Sequence, residues 1–248
     1  MVIFKINLAE TLGKAHVEVH FQPVVRLEDR AVTGVEALAR LRDPTGHLWT
    51  PDHFVAKLEL AGLGQILTQR VATQAIADFT TRFADSDQVW LSINVPLDVF
   101  LAPASIAMIA AIAQGRALDP ARILIEITES QPVLDVAALG ATIARWREPG
   151  FKVALDDIDP ETSNLCALLE LSFFAIKLDG RLVNRLDHDP GARAFVTKVV
   201  GQMRPRGTKL IAEGVETQEI ATCLQSLGVD YVQGFLISRP MQDLMLPA

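Results

Sequence analysis

Cysteine is scarce in this chain of 248 residues: only Cys166 and Cys223 occur, far apart and without a partner motif. That rules out a disulfide framework and leaves two isolated thiols, expected to be buried or half-buried in a reducing compartment. No apolar run is long enough for a bilayer, since the longest weakly polar stretch, Leu101 to Ala113, is short and broken by Pro103 and Ser105. The start of the chain, Met1-Val2-Ile3-Phe4-Lys5, lacks the charged segment and apolar core of a secretory signal. Positive charge is in deficit, with 23 Lys and Arg against 30 Asp and Glu and a net charge of −7. Proteins that hold nucleic-acid polymers carry a basic stripe, so no such polymer is expected as a partner. Gly/Ser-rich and Pro-rich linkers are missing too, and residues 1–248 are read as a single domain, cytoplasmic and without membrane insertion. His16, His20, His47, His53 and His188 show no ligand spacing; His20 alone could line a site beside Gln22.

What the chain does have is a recurring unit, a short β-like run followed by a helical pattern. Strands are predicted at His16–Val25, Ala31–Leu41, Val89–Val95, Ile123–Thr128, Lys152–Asp156, Phe174–Leu178, Lys209–Glu213 and Tyr231–Gly234. Helical stripes lie between them: Ile66, Leu67, Val71, Ile76 and Phe79; Leu139, Ile143 and Trp146; Ile220, Leu224 and Leu227. Asp135 and Thr217 stand where helix caps belong, and Asp187-His188-Asp189-Pro190 reads as a turn or helix start. Trp49, Trp90 and Trp146 read as packing. Strands alternating with helices pair in parallel, because each crossover needs a dozen or more residues. Eight strands in this length favour a closed (βα)8 barrel over an open doubly wound sheet. The short gap Leu27 to Arg30 between the first two strands fits a hairpin, so one strand near the N-terminus should run antiparallel. The expected fold is a modified TIM barrel.

Polar residues collect at the strand ends, where a barrel assembles its chemistry. The second strand carries Glu36 and Arg40, the third ends in Asn94, and the fourth contains Glu126. The fifth ends in Asp156-Asp157, the sixth in Lys177 and Asp179, the seventh in Glu213, and the eighth in Gln233. Period-two alternation puts Glu36, Leu38 and Arg40 on one face, Ser92 and Asn94 on another, and Ala175, Lys177 and Asp179 on a third. Any one of these acids could simply cap the following helix. Glu36, Glu126, Asp156, Asp157 and Glu213 in one mouth resist that explanation: at about 4 Å and an effective dielectric near 20, each like-charge pair costs about 4 kcal/mol. Multivalent cations or protonation must relieve it. An all-oxygen ligand set favours Mg2+ or Mn2+, and an Asp pair suits two ions roughly 3.5–4 Å apart, as in phosphodiester hydrolysis.

The same residues fall in an ordered set of motifs. They are Phe21-Gln22-Pro23, Gly34-Val35-Glu36-Ala37-Leu38-Ala39-Arg40, Ser92-Ile93-Asn94, Glu126-Ile127-Thr128-Glu129, Asp156-Asp157, Lys177-Leu178-Asp179, Ala212-Glu213-Gly214-Val215-Glu216-Thr217, and Gln233-Gly234-Phe235 with Ser238-Arg239-Pro240. In this set the chain resembles the EAL-domain cyclic di-GMP phosphodiesterases over nearly its whole length. The resemblance implies that Glu36, Asn94, Glu126 and Asp156 hold one ion and that Asp156, Asp157 and Glu213 hold a second. It puts Lys177, Glu213, Gln233 and Glu216 on the catalytic side, with Lys177 orienting the attacking water or neutralising phosphate. Gln22, Leu38, Arg40, Asp179 and Pro240 match ligand-contacting positions, and Glu129 matches the residue that anchors the loop after the Asp pair. Mg2+ or Mn2+ is the implied cofactor, with Ca2+ inhibiting. Cyclic di-GMP is the implied ligand and linear 5′-pGpG the product. A homodimer and an attached sensor, receiver or GGDEF domain are compatible accompaniments.

One segment departs from that pattern. Active members usually continue Phe-Gly-Thr-Gly-Tyr-Ser-Ser-Leu after the Asp pair, whereas this chain reads Ile158-Asp159-Pro160-Glu161-Thr162-Ser163-Asn164-Leu165. Both glycines are gone and Pro160 fixes its own φ, so a different loop path and weak or conditionally activated hydrolysis are expected. The competing expectations are a silent cyclic di-GMP receptor, a protein-interaction module, and an unrelated metal-dependent barrel lyase with Lys177 as base.

Overall fold

The strands form one sheet that closes on itself, in a computed structural model that describes residues 12–244 apart from 85, 87 and 129–132. Strand β1 (His16–Arg26) pairs antiparallel with β2 (Val32–Arg42) along nearly its whole length, from His16 opposite Arg42 to Val25 opposite Val32. From β2 the ring runs in parallel through β4 (Trp90–Pro96), β5 (Ile123–Thr128), β6 (Lys152–Ile158), β7 (Ala175–Leu178), β8 (Lys209–Ala212) and β9 (Tyr231–Val232). Strand β9 meets β1 antiparallel and completes the barrel. A two-residue strand, β3 (Leu48–Trp49), hangs on the end of β2 outside the ring. The barrel and its single reversed strand are thus as the sequence predicts; β3 is an addition. It depends on a turn around Asp43, whose carboxylate accepts from the Trp49 indole N–H at 3.0 Å.

Alternation along the strands divides two cores. Outward-facing Val35, Ile93, Ile125, Leu155 and Ile176 pack beneath the helices in the main core. Inside the barrel, Val24, Trp90, Leu124, Ala154, Ala175 and Ile211 form a separate apolar floor. Trp90 fills it edge-on to Tyr231 and Phe174, with ring centroids 5.3 and 6.1 Å away. Gly34 makes the room, because a Cβ there would lie 2.3 Å from the Trp90 ring.

The outer helices follow the predicted stripes with one exception. Helix Gly64–Arg82 buries Leu67, Val71, Ile76 and Phe79, but Ile66 is 49% exposed. It sits about 100° round the helix from Leu67, off the inward stripe. Helix Val136–Arg147 buries Leu139, Ile143 and Trp146, whose indole N–H donates to the Phe100 carbonyl at 3.0 Å. Asp135 and Thr217 cap their helices by accepting from the Ala138 and Ile220 backbone N–H. Asp189 does the same for helix Pro190–Met203, accepting from Gly191 and Ala192. Cys223 is half-buried; Cys166 is exposed, against expectation, because the helix carrying it, Leu165–Leu168, is a single turn on the surface. No described helix is long and apolar enough to cross a membrane.

Candidate metal centre at the barrel mouth

Above the apolar floor the inward positions turn polar. Ser92, Glu36, Glu126, Asp156, Lys177 and Gln233 are all buried. Lys177 lies at their centre. Its Nζ is 2.6 Å from Glu213 Oε1, 2.8 Å from Glu126 Oε2, 2.9 Å from Asp156 Oδ1 and 3.8 Å from Glu36 Oε2. Glu36 is fixed from its other side: Asn94 Nδ2 donates to Oε1 at 2.6 Å, and Gln233 Nε2 donates to Oε2 at 2.6 Å and to Gln22 Oε1 at 3.1 Å. Gln22 in turn donates to the Ser238 carbonyl at 3.0 Å, tying β1 to the segment after β9.

Electrostatics in this cluster favour extra positive charge. Burial pushes the Glu126 carboxyl up to about 8, even with Lys177 pulling it down and Glu36 and Asp156 adding repulsion. Burial likewise raises Asp156 to about 6, and Glu213 well above the carboxylate range. Burial alone would strip the proton from Lys177, but Asp156, Glu126, Glu213 and Glu36 together hold it firmly charged. One ammonium leaves the acids under-neutralised, so protons fill the deficit.

Two consecutive aspartates on a regular strand would face opposite ways. The β6–β7 register slips between Leu155 and Ile158, and Asp157 takes a left-handed backbone with φ of 51°. This bulge, made by a residue type that tolerates the left-handed region, re-aims Asp157 so that both acids serve the mouth. Oxygens of Asp156, Asp157 and Glu213 come within 4.8 Å of one another. Glu213 is followed by Gly214 (φ 61°), whose Cα side packs so closely on Gly180 that a Cβ would lie 3.0 Å from the Gly180 Cα. The turns after β7 and β8 are thereby pressed together at the rim.

The donor set fits a divalent cation. Asn94 Oδ1 and Glu126 Oε1 are buried acceptors with no hydrogen-bond partner, beside carboxylates that already exceed their counter-charge. Unpartnered buried oxygens are costly unless something electropositive meets them. With neither Cys nor His in the set, every ligand it offers is a hard oxygen. A cleft of about 300 Å3 opens over Glu36, Asn94, Asp156, Asp157 and Glu213. Leu38 and Asn94 also border a neighbouring, mainly apolar cavity of about 340 Å3 under Pro51, Val55, Leu67 and Val71.

The model of one family, the EAL domain, matches residues 6–240. The chain belongs to the EAL domain family. A cyclic di-GMP phosphodiesterase of Pseudomonas aeruginosa is 32% identical over 221 residues, covering 89% of this chain and 38% of the relative. The Pseudomonas aeruginosa cyclic di-GMP phosphodiesterase RocR is 30% identical over 237 residues, covering 96% of this chain and 60% of RocR. Among solved structures, the PaMucR phosphodiesterase in complex with c-di-GMP superposes with a TM-score of 0.86 at 28% identity, over 95% of this chain and 98% of that one. The chain spans 34–60% of the length of its first four curated relatives.

In this EAL domain the segment after the Asp pair is held by its own side chains. Asp159 Oδ1 accepts from the Glu161 N–H at 2.8 Å, and Thr162 Oγ1 accepts from the Asp159 N–H at 2.9 Å, closing a tight turn around Pro160. Asn164 supplies a second left-handed residue (φ 56°) and donates to the Val133 carbonyl at 2.9 Å. Aspartate and asparagine thus supply the left-handed backbone in a segment without glycine.

The other singled-out residues scatter more widely. Arg40 is buried, with its Nη1 donating to the Ala39 carbonyl at 2.8 Å and its guanidinium pulled below its ordinary range by burial. His20 is half-buried, and burial, then the charge of Arg40, lowers its pKa. Asp179 is buried beside Lys177 on the inward face of the β7 end; burial would raise it, but Arg181 outweighs burial and holds it low. Pro240 is half-buried at the rim, next to the bridge between Met241 and Phe21. Glu216 is exposed and lines neither cavity. Glu129 lies outside the described residues. The partner that sequence reasoning missed is Arg181; its signal was an arginine two residues after a strand-end aspartate.

Proposed function

We propose that this EAL domain binds cyclic di-GMP and hydrolyses it to linear 5′-pGpG with Mg2+ or Mn2+. The observation that carries this reading is the mouth itself: buried acids around one lysine, with the Asn94 and Glu126 oxygens unpartnered. Relatives named as cyclic di-GMP phosphodiesterases support the substrate. So does the pairing of an acidic cleft for a metal-bound phosphate with an apolar cavity for a flat base, joined at Leu38 and Asn94.

In this reading Glu36, Asn94, Glu126 and Asp156 hold one ion, and Asp156, Asp157 and Glu213 the other. Bound ions of this kind acidify a water and offset charge on the reacting phosphate. Lys177, already protonated and central, gives one of its carboxylate contacts to the water or the phosphate oxygen. Gln233 keeps the Glu36 carboxylate oriented and links it to Gln22 at the ligand face. Arg40 meets a phosphate. Ca2+ competes for the oxygens but prefers more ligands at longer distances, and so inhibits. A homodimer and an attached sensor, receiver or GGDEF domain are both compatible with this reading.

The turn around Pro160 lowers the rate. Asp159 and Glu161 add negative charge beside Asp157, and altered support around metal ligands commonly costs about 10–100-fold in affinity or activity. The test is purified protein with cyclic di-GMP and Mn2+ or Mg2+, following pGpG, with ligand titrated in Ca2+. Metal-dependent product that vanishes in Glu36→Ala is the expected result. Tight binding with no product would make the domain a receptor, and neither binding nor turnover would overturn the reading.

A further inference from the structure

We infer that Arg181 is a second ligand-binding guanidinium of the mouth, positioned by Asp179 to meet phosphodiester oxygens across from Arg40. The inference rests on the phosphodiesterase reading. Asp179 is 6% exposed and gives its carboxylate almost entirely to one neighbour. It accepts from the Arg181 backbone N–H at 2.5 Å, from Nε at 3.2 Å to both oxygens, and from Nη2 at 2.8 Å. A carboxylate seated on the Nε–Nη2 side of a guanidinium leaves Nη1 and the second Nη2 hydrogen free to donate. The side chain is 86% exposed, so those donors face solvent at the rim. An exposed ion pair adds little to stability, which leaves the clamp without a strong structural purpose.

Position gives it one. In the ring order β7 stands four strands from β2 in either direction, so Arg181, just past β7, is diametrically opposite Arg40 on β2. Asp157 and Asp159 lie near enough to reinforce the charge on Arg181. An anionic ligand approaching this rim meets those acids first, while Lys177 is buried among the inner carboxylates, where it serves the reacting phosphate and not the rim. A cyclic dinucleotide has two phosphodiesters; with one over the acidic cluster, the other needs a cation at the edge.

The test compares wild type with Arg181→Ala, Arg181→Lys and Arg181→Glu, titrating cyclic di-GMP in Ca2+ and measuring steady-state turnover in Mn2+. Losing one charge-assisted contact should raise Kd and KM about tenfold in Arg181→Ala, with kcat nearly unchanged. Arg181→Lys should recover part of the loss, Arg181→Glu should exceed it, and KM should depend less on salt in Arg181→Ala than in wild type. Wild-type Kd and KM in Arg181→Ala, or a fall in kcat alone, would overturn this inference while leaving the phosphodiesterase reading intact. Wild-type protein that neither binds nor turns over the dinucleotide would overturn both.

Discussion

At the floor of the barrel Trp90 sits on Gly34 among Val24, Leu124, Ala154, Ala175 and Ile211, an uncharged layer that needs no ion even though the Trp90 indole N–H has no hydrogen-bond partner. One layer higher, Glu36, Glu126, Asp156 and Glu213 crowd around Lys177, and buried oxygens of Glu126 and Asn94 go unpartnered. The same eight strands supply both layers, so backbone geometry does not separate them. The difference is what each layer requires from outside the chain. Apolar side chains lower the free energy by leaving water, whereas buried ion clusters are often no better for stability than hydrophobic replacements. The floor therefore holds the barrel together, and the mouth is a strained arrangement that the floor makes tolerable.

That contrast can be broken at either end. Trp90→Ala should cost about 3–5 kcal/mol in denaturant unfolding, while the folded fraction keeps its turnover per molecule. Glu126→Gln should do the reverse. Turnover falls by about 100-fold or more, at or beyond the cost of disturbing a metal ligand's support, while the melting temperature of metal-free protein stays level or rises.

The acids also give the mouth a pH signature. Glu126 and Asp156 carry folded-state pKa values of about 8 and 6, raised from 4.5 and 3.8 by burial. The folded state thus binds protons that the unfolded state has released, and stability falls as pH rises through that window. Thermal melts in chelator should drop between pH 5 and pH 8, and added Mn2+ should flatten the curve by replacing the protons. A flat curve in chelator would show that the acids are relieved in another way. Gly34→Ala sharpens the floor side, since its Cβ must displace the Trp90 ring at about 1–3 kcal/mol. The smallest effect is expected from Asp159→Ala, which loosens the turn around Pro160 and costs about 0.5–1.5 kcal/mol.

Much of this was legible in the residues because it follows from periodicity. Eight strands, the hairpin between the first two, the caps at Asp135 and Thr217 and the helix start at residues 187–190 are local patterns that the structure keeps. The inward set Glu36, Asn94, Glu126, Asp156 and Lys177 follows from alternation. What alternation forbids had to come from elsewhere: Asp157 reaches the mouth only through a bulge, and nothing in a lone Asp-Asp pair announces a register slip. Ile66 departs from its stripe because apolar character does not fix azimuth, and Cys166 is exposed because its helix is a single surface turn. The two-residue β3 rests on one indole hydrogen bond, too small a pattern to read in advance. Lys177 touches four of the acids, yet burial still leaves Glu126, Asp156 and Glu213 raised, a balance that depends on depth and that strand alternation does not report.

The reversed first strand bears on how such a domain can be addressed. In an all-parallel barrel the first strand begins at the floor, far from the working end. Here His16 is paired with Arg42 at the top of β2, so the chain arrives at the mouth and descends. Arg70 grips that approach by donating to the carbonyls of Leu12 and Ala15. Six residues after His16, Gln22 joins Gln233 and, through it, Glu36. One continuous strand therefore links the leading segment to Gln22 and, through Gln233, to the Glu36 carboxylate, which makes β1 a tiller as well as a stave.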